Sequence, residues 1–583
     1  MLTDLLPPDL PSGTETVAQG RALAADWQLE SGAFLKHYEF ASEAAYKRYA
    51  VEQGRIMQHA QIGFRELDKS RRGWVEIHDT CQKHGVRVDR YGICLDWTMG
   101  LLRDLRDEKW RGTGLVLEDI EEFVSLTSGA PVAPHFGDFV LGFPAALENT
   151  KAALSAGATS IGNLGQYFTF RLPGHDDDLQ ATEATLLALG LIAGQESEVL
   201  VHSNLDDGFA AMFTDLASSL GAMLLEKYII EELIGARVSH CYGHHFSDPV
   251  RRLAFHAALT MATDIPGTMI YGNTTSFRGG TAENFAALAT YLSTDIIGQT
   301  RLPSGHAINP VPVSENRRIP DIDEIIEAQL FAGRLVELSS GMKGLQELTD
   351  VTESAERIYA GGKMFFDNTL RGFSEAGIDV RDPLKMLLAL RRLGGRQLEN
   401  MFGAGSPEPK MPQIRKPIVQ SSLVDETIAM ASDHLSHVDE VNKSQLVNSG
   451  LKIMVATTDV HEHGKLLLDR VFKELGLETI DGGVSIDPAK LAACVAAKRP
   501  DAIAISTYNG IALTYIEALK TELLSHNLTT PVLVGGRLNQ IPGGSNTSLP
   551  VGVENELLEA GALVCAEVED AIPALIAILE GKQ

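Results

Sequence analysis

From Gly450 onward the chain alternates apolar strands with amphipathic helices five times. That alternation is the tightest constraint in the sequence, because successive βα units build a parallel sheet covered by helices on both faces. The expected strands are Lys452–Ala456, Glu478–Ile480, Ala502–Ser506, Val532–Val534 and Ala562–Ala566. The expected helices are His463–Leu475, Asp487–Lys498, Ala512–His526, Val553–Ala560 and Val568–Leu579. The first carries Leu466, Leu467, Val471, Phe472 and Leu475 at helical spacing, and the second has Ser485 or Asp487 as a cap and Pro488 in its first turn. A flavodoxin-like, doubly wound order follows. Its switch point lies between strands one and three, where ligands bind beyond the carboxyl ends.

Polar signals fall at those ends. Directly after Ile453–Val455 comes Asp459-Val460-His461-Glu462-His463-Gly464, an Asp-x-His-x-x-Gly pattern. Ser506-Thr507-Tyr508 closes the third strand and Gly535-Gly536 the fourth. Neutral imidazole at His461 can ligate a metal, and Asp459 can accept from the other ring nitrogen and fix its tautomer. Gly464 lets the loop turn into its helix, and Gly535 and Gly536 permit close backbone approach.

In this order the three elements resemble the cobalamin-binding module of B12-dependent mutases and methyltransferases. The resemblance implies that His461 replaces the cofactor's benzimidazole as metal ligand and that the freed nucleotide tail enters the crevice past Ser506, Gly535 and Gly536. The family usually has Leu two residues after the Ser; this chain has Tyr508. His463 has no assigned role.

Composition narrows the rest. At 583 residues the chain should hold two or more domains. Lys plus Arg is 50 against 77 Asp plus Glu, a net charge of −27, which argues against nucleic acid and anionic membranes. No apolar run is long enough to span a bilayer and no signal peptide is evident at the amino terminus, so a cytoplasmic protein is expected. The five cysteines are scattered with no C-x-x-C pair, which argues against a zinc ribbon or a disulfide framework.

Residues 81–402 read as a catalytic (β/α)8 TIM barrel with a helix-rich carboxyl part, after a helical extension over residues 1–80. Expected strands are Val88–Leu95, Val132–Pro134, Ser160–Asn163, Val199–Asn204, Val238–Tyr242, Thr268–Gly272 and Asp295–Thr300, with Val336–Ser339 as the eighth. Helices are expected at Ala145–Ala156, Phe209–Leu233, Val250–Ala262 and Ala282–Tyr291. A linker with a short helix, 403–449, leads into the flavodoxin-like domain of 450–583; its Gly403–Gln420 stretch carries four prolines. Polar residues gather where the barrel strands are expected to end: Asp96, His135, Asp138, Asn163, Gln166, His202, Asn204, Asp206, His240, His244, His245, Asn273, Arg278, Arg301 and His306. That rim is where such barrels keep their active sites.

Two rim stretches, Gly162–Pro173 and Arg301–Glu315, resemble loops in the catalytic subunit of glutamate mutase (methylaspartate mutase). The whole chain is similar to both subunits of that enzyme fused. The resemblance implies an adenosylcobalamin-dependent carbon-skeleton mutase, with Arg301 and His306 at the positions that hold the adenosyl ribose. The glutamate that family enzymes place beside the substrate becomes Leu164, so a small acid other than glutamate is expected. Arg171 and Arg278 are the candidate carboxylate clamp. His135, His202 and His244 are candidate proton donors or hydrogen-bond partners. A homodimer acting on a small molecule is expected. The alternatives are a corrinoid-dependent methyltransferase, an acyl-CoA mutase and a non-enzymatic B12 sensor, and a second cofactor such as pyridoxal phosphate stays open. Ser421–Asn448 is short for the four-helix cap that usually precedes a methyltransferase's corrinoid module.

Overall fold

The structure is a computed structural model. It describes all residues except 1, 3–4, 107–110, 173, 176, 278, 316–317, 340, 342–347, 410, 448, 459–462, 509, 541–550 and 582–583, and the side chains of 210, 211, 411 and 413. The chain divides into two compact units. The first is Met1–Glu108, Gly114–Thr169 and Asp177–Leu423; the second is Lys109–Thr113, Phe170–Asp176 and Val424–Gln583.

In the first unit, β1 (His59–Ile62), β2 (Arg90–Ile93), β3 (Ala133–Phe136), β4 (Ser160–Ile161), β5 (Leu200–Asn204) and β6 (Arg237–Cys241) pair in chain order, all parallel. β7 (Met269–Ile270) and β8 (Ala307–Ile308) pair with each other in the same sense. Parallel bridges Tyr242↔Ile270 and Gln58↔Ile308 join β6 to β7 and β8 to the start of β1. Helices intervene between successive strands, and Asp residues start several of them. Asp177 accepts from Gln180 N, Asp215 from Ala217 N, and Asp248 from Arg251 N just ahead of Pro249.

Two expected strands are helices. Asp295–Thr300 lies inside the helix Thr281–Arg301, and Val336–Ser339 ends the helix Ile322–Ser339. The β-branched pair Ile296-Ile297 suggested a strand, but Leu288, Leu292 and Ile296 form a buried helical stripe, and Asp295 is clasped by Arg252 from the preceding helix at 2.6 and 2.8 Å. The two missed strands are β1, which lies in the stretch expected to be a helical extension, and β8. Neither carries an apolar run. The stretch read as a linker holds a two-stranded antiparallel hairpin, β9 (Pro407–Glu408) and β10 (Met411–Arg415).

One face of β1 to β5 is polar: His59, Arg90, His135 and His202 are buried there and Gln61 is half-buried. Arg90 donates to Glu43 Oε1 at 2.8 Å and lies 3.2 Å from His59 Nδ1; the rings of His135 and His202 meet edge-on at 4.4 Å. Glu43 and Lys47 come from the helix Glu43–Glu52, and Lys47 donates to the carbonyls of Gly267 and Thr268 at 2.5 and 2.7 Å. The buried charges are thus paired and hydrogen-bonded.

In the second unit β11 (Lys452–Thr457), β12 (Glu478–Gly483), β13 (Ala502–Thr507), β14 (Val532–Gly536) and β17 (Leu563–Cys565) form one parallel sheet in the order β12-β11-β13-β14-β17. Short strands β15 (Asn539–Gln540) and β16 (Val551–Gly552) pair beside it. This is the expected doubly wound order. Alternation along each strand feeds two cores: Met454, Ala456, Ile503, Ile505 and Val534 on one face, Ile453, Val455, Ala502, Ala504 and Leu533 on the other. Helices Ser422–Ser436 and Glu440–Val447 precede β11. Among the described residues, no helix is long and apolar enough to cross a membrane.

Candidate functional site: a strand-end trough and a polar strand-end cluster

Register places small residues side by side along the carboxyl edge of the second unit's sheet. Ala456 pairs with Gly483, Thr457 with Ser506, Ser506 with Gly535, and Thr507 with Gly536. Four adjacent strand ends therefore carry Gly, Thr, Ser and Gly, and the edge is a trough rather than a wall. Hydroxyls tie its floor together. Thr458 Oγ1 donates to Thr507 Oγ1 at 3.0 Å, and Ser485 N donates to Thr457 Oγ1 at 3.0 Å.

The glycines are held at their positions by contact. A Cβ on Gly464 would lie 2.2 Å from Ser506 Oγ, and one on Gly535 would lie 2.9 Å from the Cys565 carbonyl. Gly536 has φ +98°, and a Cβ there would lie 2.4 Å from the Thr507 carbonyl. Tyr508 and Arg537 follow β13 and β14, with the guanidinium carbon 4.0 Å from the ring centroid. Asp459 and His461, the expected ligand pair, lie outside the described residues; the described chain reaches Thr458 on one side and resumes at His463, where the helix His463–Glu474 begins.

Residues 452–542 match the family model of the B12 binding domain. This stretch is a B12-binding domain. Two solved structures that resemble parts of the chain are cobalamin proteins. One is a cobalamin-binding protein from Desulfitobacterium hafniense DCB-2, 19% identical, with a TM-score of 0.20, covering 27% of this chain and 70% of that one. The other is a methanol:cobalamin methyltransferase complex from Methanosarcina barkeri, 14% identical, with a TM-score of 0.19, covering 50% of this chain and 80% of that one. Overlaps this slight fix neither the reaction nor the fold of the remainder. None of the curated proteins matches the chain. The trough is compatible with the cofactor the domain calls for: Cβ atoms on Gly464, Gly535 and Gly536 would meet the Ser506 hydroxyl and the Cys565 and Thr507 carbonyls, so these strand ends carry no side chains.

In the first unit, polar groups meet at the carboxyl ends of the strands. Asn163 and Asn204 both donate to Asp207 Oδ2, at 2.7 and 3.1 Å. His244 N and His245 N donate to Asp206 at 2.9 and 3.3 Å. His244 Nδ1 is 3.1 Å from Thr274 Oγ1, and Gln166 donates to Asp138 at 3.2 Å. Burial pushes the Asp207 carboxyl up to about 6, and the adjacent Asp206 adds to the rise. Burial opposes the charge on Asp206, yet the His245 and His244 groups hold it below the usual carboxylate range. Adjacent carboxyls in one sequence thus titrate apart, and Asp207 can hold or release a proton near neutrality.

The other expected residues divide. His135 and His202 are only 2% exposed; His135 Nδ1 is 3.1 Å from the Ser160 carbonyl and His202 Nδ1 is 2.9 Å from Thr268 Oγ1. Burial first, and Arg90 next, hold both rings well below the ordinary imidazole range, so they are neutral hydrogen-bond partners rather than cationic acids. Arg301 and His306 lie elsewhere in the unit. Because Asp295–Thr300 is helical, both precede β8 and sit at its amino end, away from the cluster. Arg301 is exposed, and His306 is buried between Ser304 Oγ at 2.7 Å and the His240 carbonyl at 3.1 Å. His240 likewise turns to a neighbouring helix, 3.0 Å from Glu226. Arg171 belongs to the second unit, where its carbonyl accepts from Ser485 Oγ at 3.2 Å. Arg278 lies outside the described residues.

Sequence reading missed Asp207, Cys94 and Arg65 at this end. Cys94 Sγ accepts from Gln61 at 3.1 Å, and half-buried Arg65 follows β1. The Asp206-Asp207 doublet just beyond the expected strand Val199–Asn204 was the signal for the first; Arg65 had none while β1 was unrecognised.

Proposed function

We propose that this chain is an adenosylcobalamin-dependent mutase that rearranges the carbon skeleton of a small acid. The closed run of strand pairings in the first unit is read as a (β/α)8 barrel whose carboxyl rim binds the substrate. Adenosylcobalamin, when bound, supplies a 5′-deoxyadenosyl radical through homolysis of its cobalt–carbon bond. The chain's own residues bind and orient. His461 is assigned as the cobalt ligand, and Asp459 fixes its tautomer. Ser506, Tyr508, Gly535 and Gly536 line the trough for the nucleotide tail.

On the rim, Asp206 and the Asn163–Asp207–Asn204 set fix polar groups of the substrate, and His244 offers a hydrogen bond through its ring. A rearrangement returns the abstracted hydrogen and needs no net protonation, so neutral His135 and His202 suit a supporting role. Arg171 and Arg278 stay as candidate carboxylate contacts. Leu164 is fully buried, consistent with a substrate other than glutamate.

One observation carries the mutase reading over the methyltransferase one. Between Val424 and β11, the described residues of the second unit hold only two helices, Ser422–Ser436 and Glu440–Val447, in place of a four-helix cap. The test is anaerobic incubation with adenosylcobalamin and a panel of small acids, amino acids and acyl-CoAs. A paramagnetic signal that depends on one small acid, with a rearranged product, is the expected result. Methyl transfer to or from the cofactor without such a signal overturns the assignment.

A further inference from the structure

The Asp207 carboxyl is held so that one of its two oxygens is committed and the other is not. The Asn163 and Asn204 side-chain amides both donate to Oδ2, at 2.7 and 3.1 Å. Neither amide can turn round without loss. Asn163 Oδ1 accepts from Asn204 N at 3.0 Å, and Asn204 Oδ1 accepts from Asp206 N at 3.1 Å. An oxygen that already takes two N–H donors has no lone pair left in the plane to carry a hydrogen. A proton on Asp207 therefore sits on Oδ1. That atom has no hydrogen-bond partner among the described residues, and Asp207 is half-buried.

The surroundings favour such a proton. Among the described residues, no Lys or Arg pairs with Asp207. The titratable groups that face it are Asp206 beside it, His245 after β6, Cys241 on β6 and Tyr271 after β7; Tyr271 in turn feels Asp138 and Glu315. Carboxyls outnumber cations here, so a bare carboxylate ligand is repelled unless a proton comes with it. A second polar group waits for an acceptor. Asn309 follows β8, one residue beyond the pairs Ile270↔Ile308 and Gln58↔Ile308, so by register it stands between Tyr271 and His59. Asn309 is 1% exposed, and its Nδ2 makes no hydrogen bond among the described residues. A buried N–H of this kind is costly until an oxygen meets it. It selects a ligand that brings acceptors, not an ammonium group.

We propose that Asp207 carries a proton on Oδ1 and, with the Asn309 amide, receives a carboxylate of the substrate, so that the acid binds together with one proton from solvent. This rests on the small-acid reading above and adds how that acid is recognised. The bond formed is a charge-assisted O–H···O contact. Burial and the Asp206 charge bring the Asp207 carboxyl up to about 6, so affinity for the acid is complete below that value and falls as pH rises through it.

The test measures binding of acetate, lactate and propionate by calorimetry at pH 6 and pH 8, on the full-length protein saturated with cobalamin, with circular dichroism as the check on folding. Wild type is expected to bind its best acid about 30- to 100-fold more weakly at pH 8. In Asp207→Asn the two asparagines keep the amide oxygen and turn the NH2 group to the open side, where it is a permanent donor. That variant should lose the pH dependence and bind the acid at pH 8 about tenfold or more tightly than wild type does. Asn309→Leu should weaken the acid about tenfold at both pH values and keep the slope. Infrared difference spectra at pH 8 should show a protonated carboxyl band when the acid is added to wild type and none in Asp207→Asn. Equal wild-type affinity at both pH values would overturn the proposal and leave the small-acid reading standing. So would loss of acid binding in Asp207→Asn at pH 6, or binding of propylamine that strengthens with pH and vanishes in that variant. A wild-type protein that binds none of the three acids would overturn both.

Discussion

Gly536 has φ +98°, and its missing Cβ would meet a carbonyl at 2.4 Å, so alanine must strain the backbone and push β13 away. Gly536→Ala is expected to destabilise the protein by about 1–3 kcal/mol in urea melts and to weaken cobalamin about tenfold or more. A variant with wild-type affinity would show that the trough does not receive the cofactor. Glu399 offers a second test at this scale. Its carboxylate accepts from Thr214 N, Thr214 Oγ1 and Asp215 N at 2.9 to 3.1 Å. Burial, with the nearby Asp215 charge, pushes it up to about 7 from an ordinary 4.5, against the pull of those hydrogen bonds. Between pH 4.5 and 7 the folded chain keeps a proton that the unfolded chain has released. Its stabilising contribution is therefore complete below the lower value and is lost as pH rises through the upper one, by about 2–3 kcal/mol. Urea midpoints at pH 5 and pH 8 should differ clearly for wild type and much less for Glu399→Gln; equal differences would refute the linkage.

The Arg252–Asp295 contact joins the helices Pro249–Ala262 and Thr281–Arg301. Arg252 is 1% exposed and also donates to the carbonyls of Gly243, Phe246 and Tyr271, which shape the loops at the strand carboxyl ends. Arg252→Ala leaves a buried carboxylate and three carbonyls without their donor, and should cost about 3–5 kcal/mol of stability. A loss below about 1 kcal/mol, the range of exposed pairs, would mean the helices are held by apolar packing alone. The same contact explains a limit on sequence reading. Ile296-Ile297 has the composition of a strand, and the partner that makes Asp295 a helix residue is 43 positions away. β1 and β8 were invisible for the complementary reason. His59-Ala60-Gln61-Ile62 faces an enclosed but polar interior, so its inward positions lack the apolar periodicity that marks strands. In the second unit both faces of the sheet meet apolar cores, and every strand of the doubly wound sheet was legible within a residue or three.

Across the whole molecule, the two units have separate apolar cores, and only the second contains the B12-binding stretch. Heating should give two calorimetric transitions, and saturating cobalamin should raise one of them by several degrees while the other stays put, because a ligand stabilises the unit it binds. A uniform shift of a single transition would instead mean that the units unfold as one. The B12-binding stretch was legible because its signals are short and lie at strand ends. The strand-end cluster of the first unit was legible only in part. His135 and His202 turned out to be enclosed and neutral, and Arg301 and His306 moved to the opposite strand end once a helix replaced the expected strand. The claim on which the rest depends is that an imidazole of this chain binds the cobalt. Uniformly 15N-labelled protein carrying unlabelled cofactor, reduced to the cobalt(II) state, tests it by electron paramagnetic resonance. Each cobalt line should split into a doublet from the protein's own nitrogen and lose that splitting in His461→Gly. A triplet from the cofactor's 14N base in the wild-type protein would contradict it.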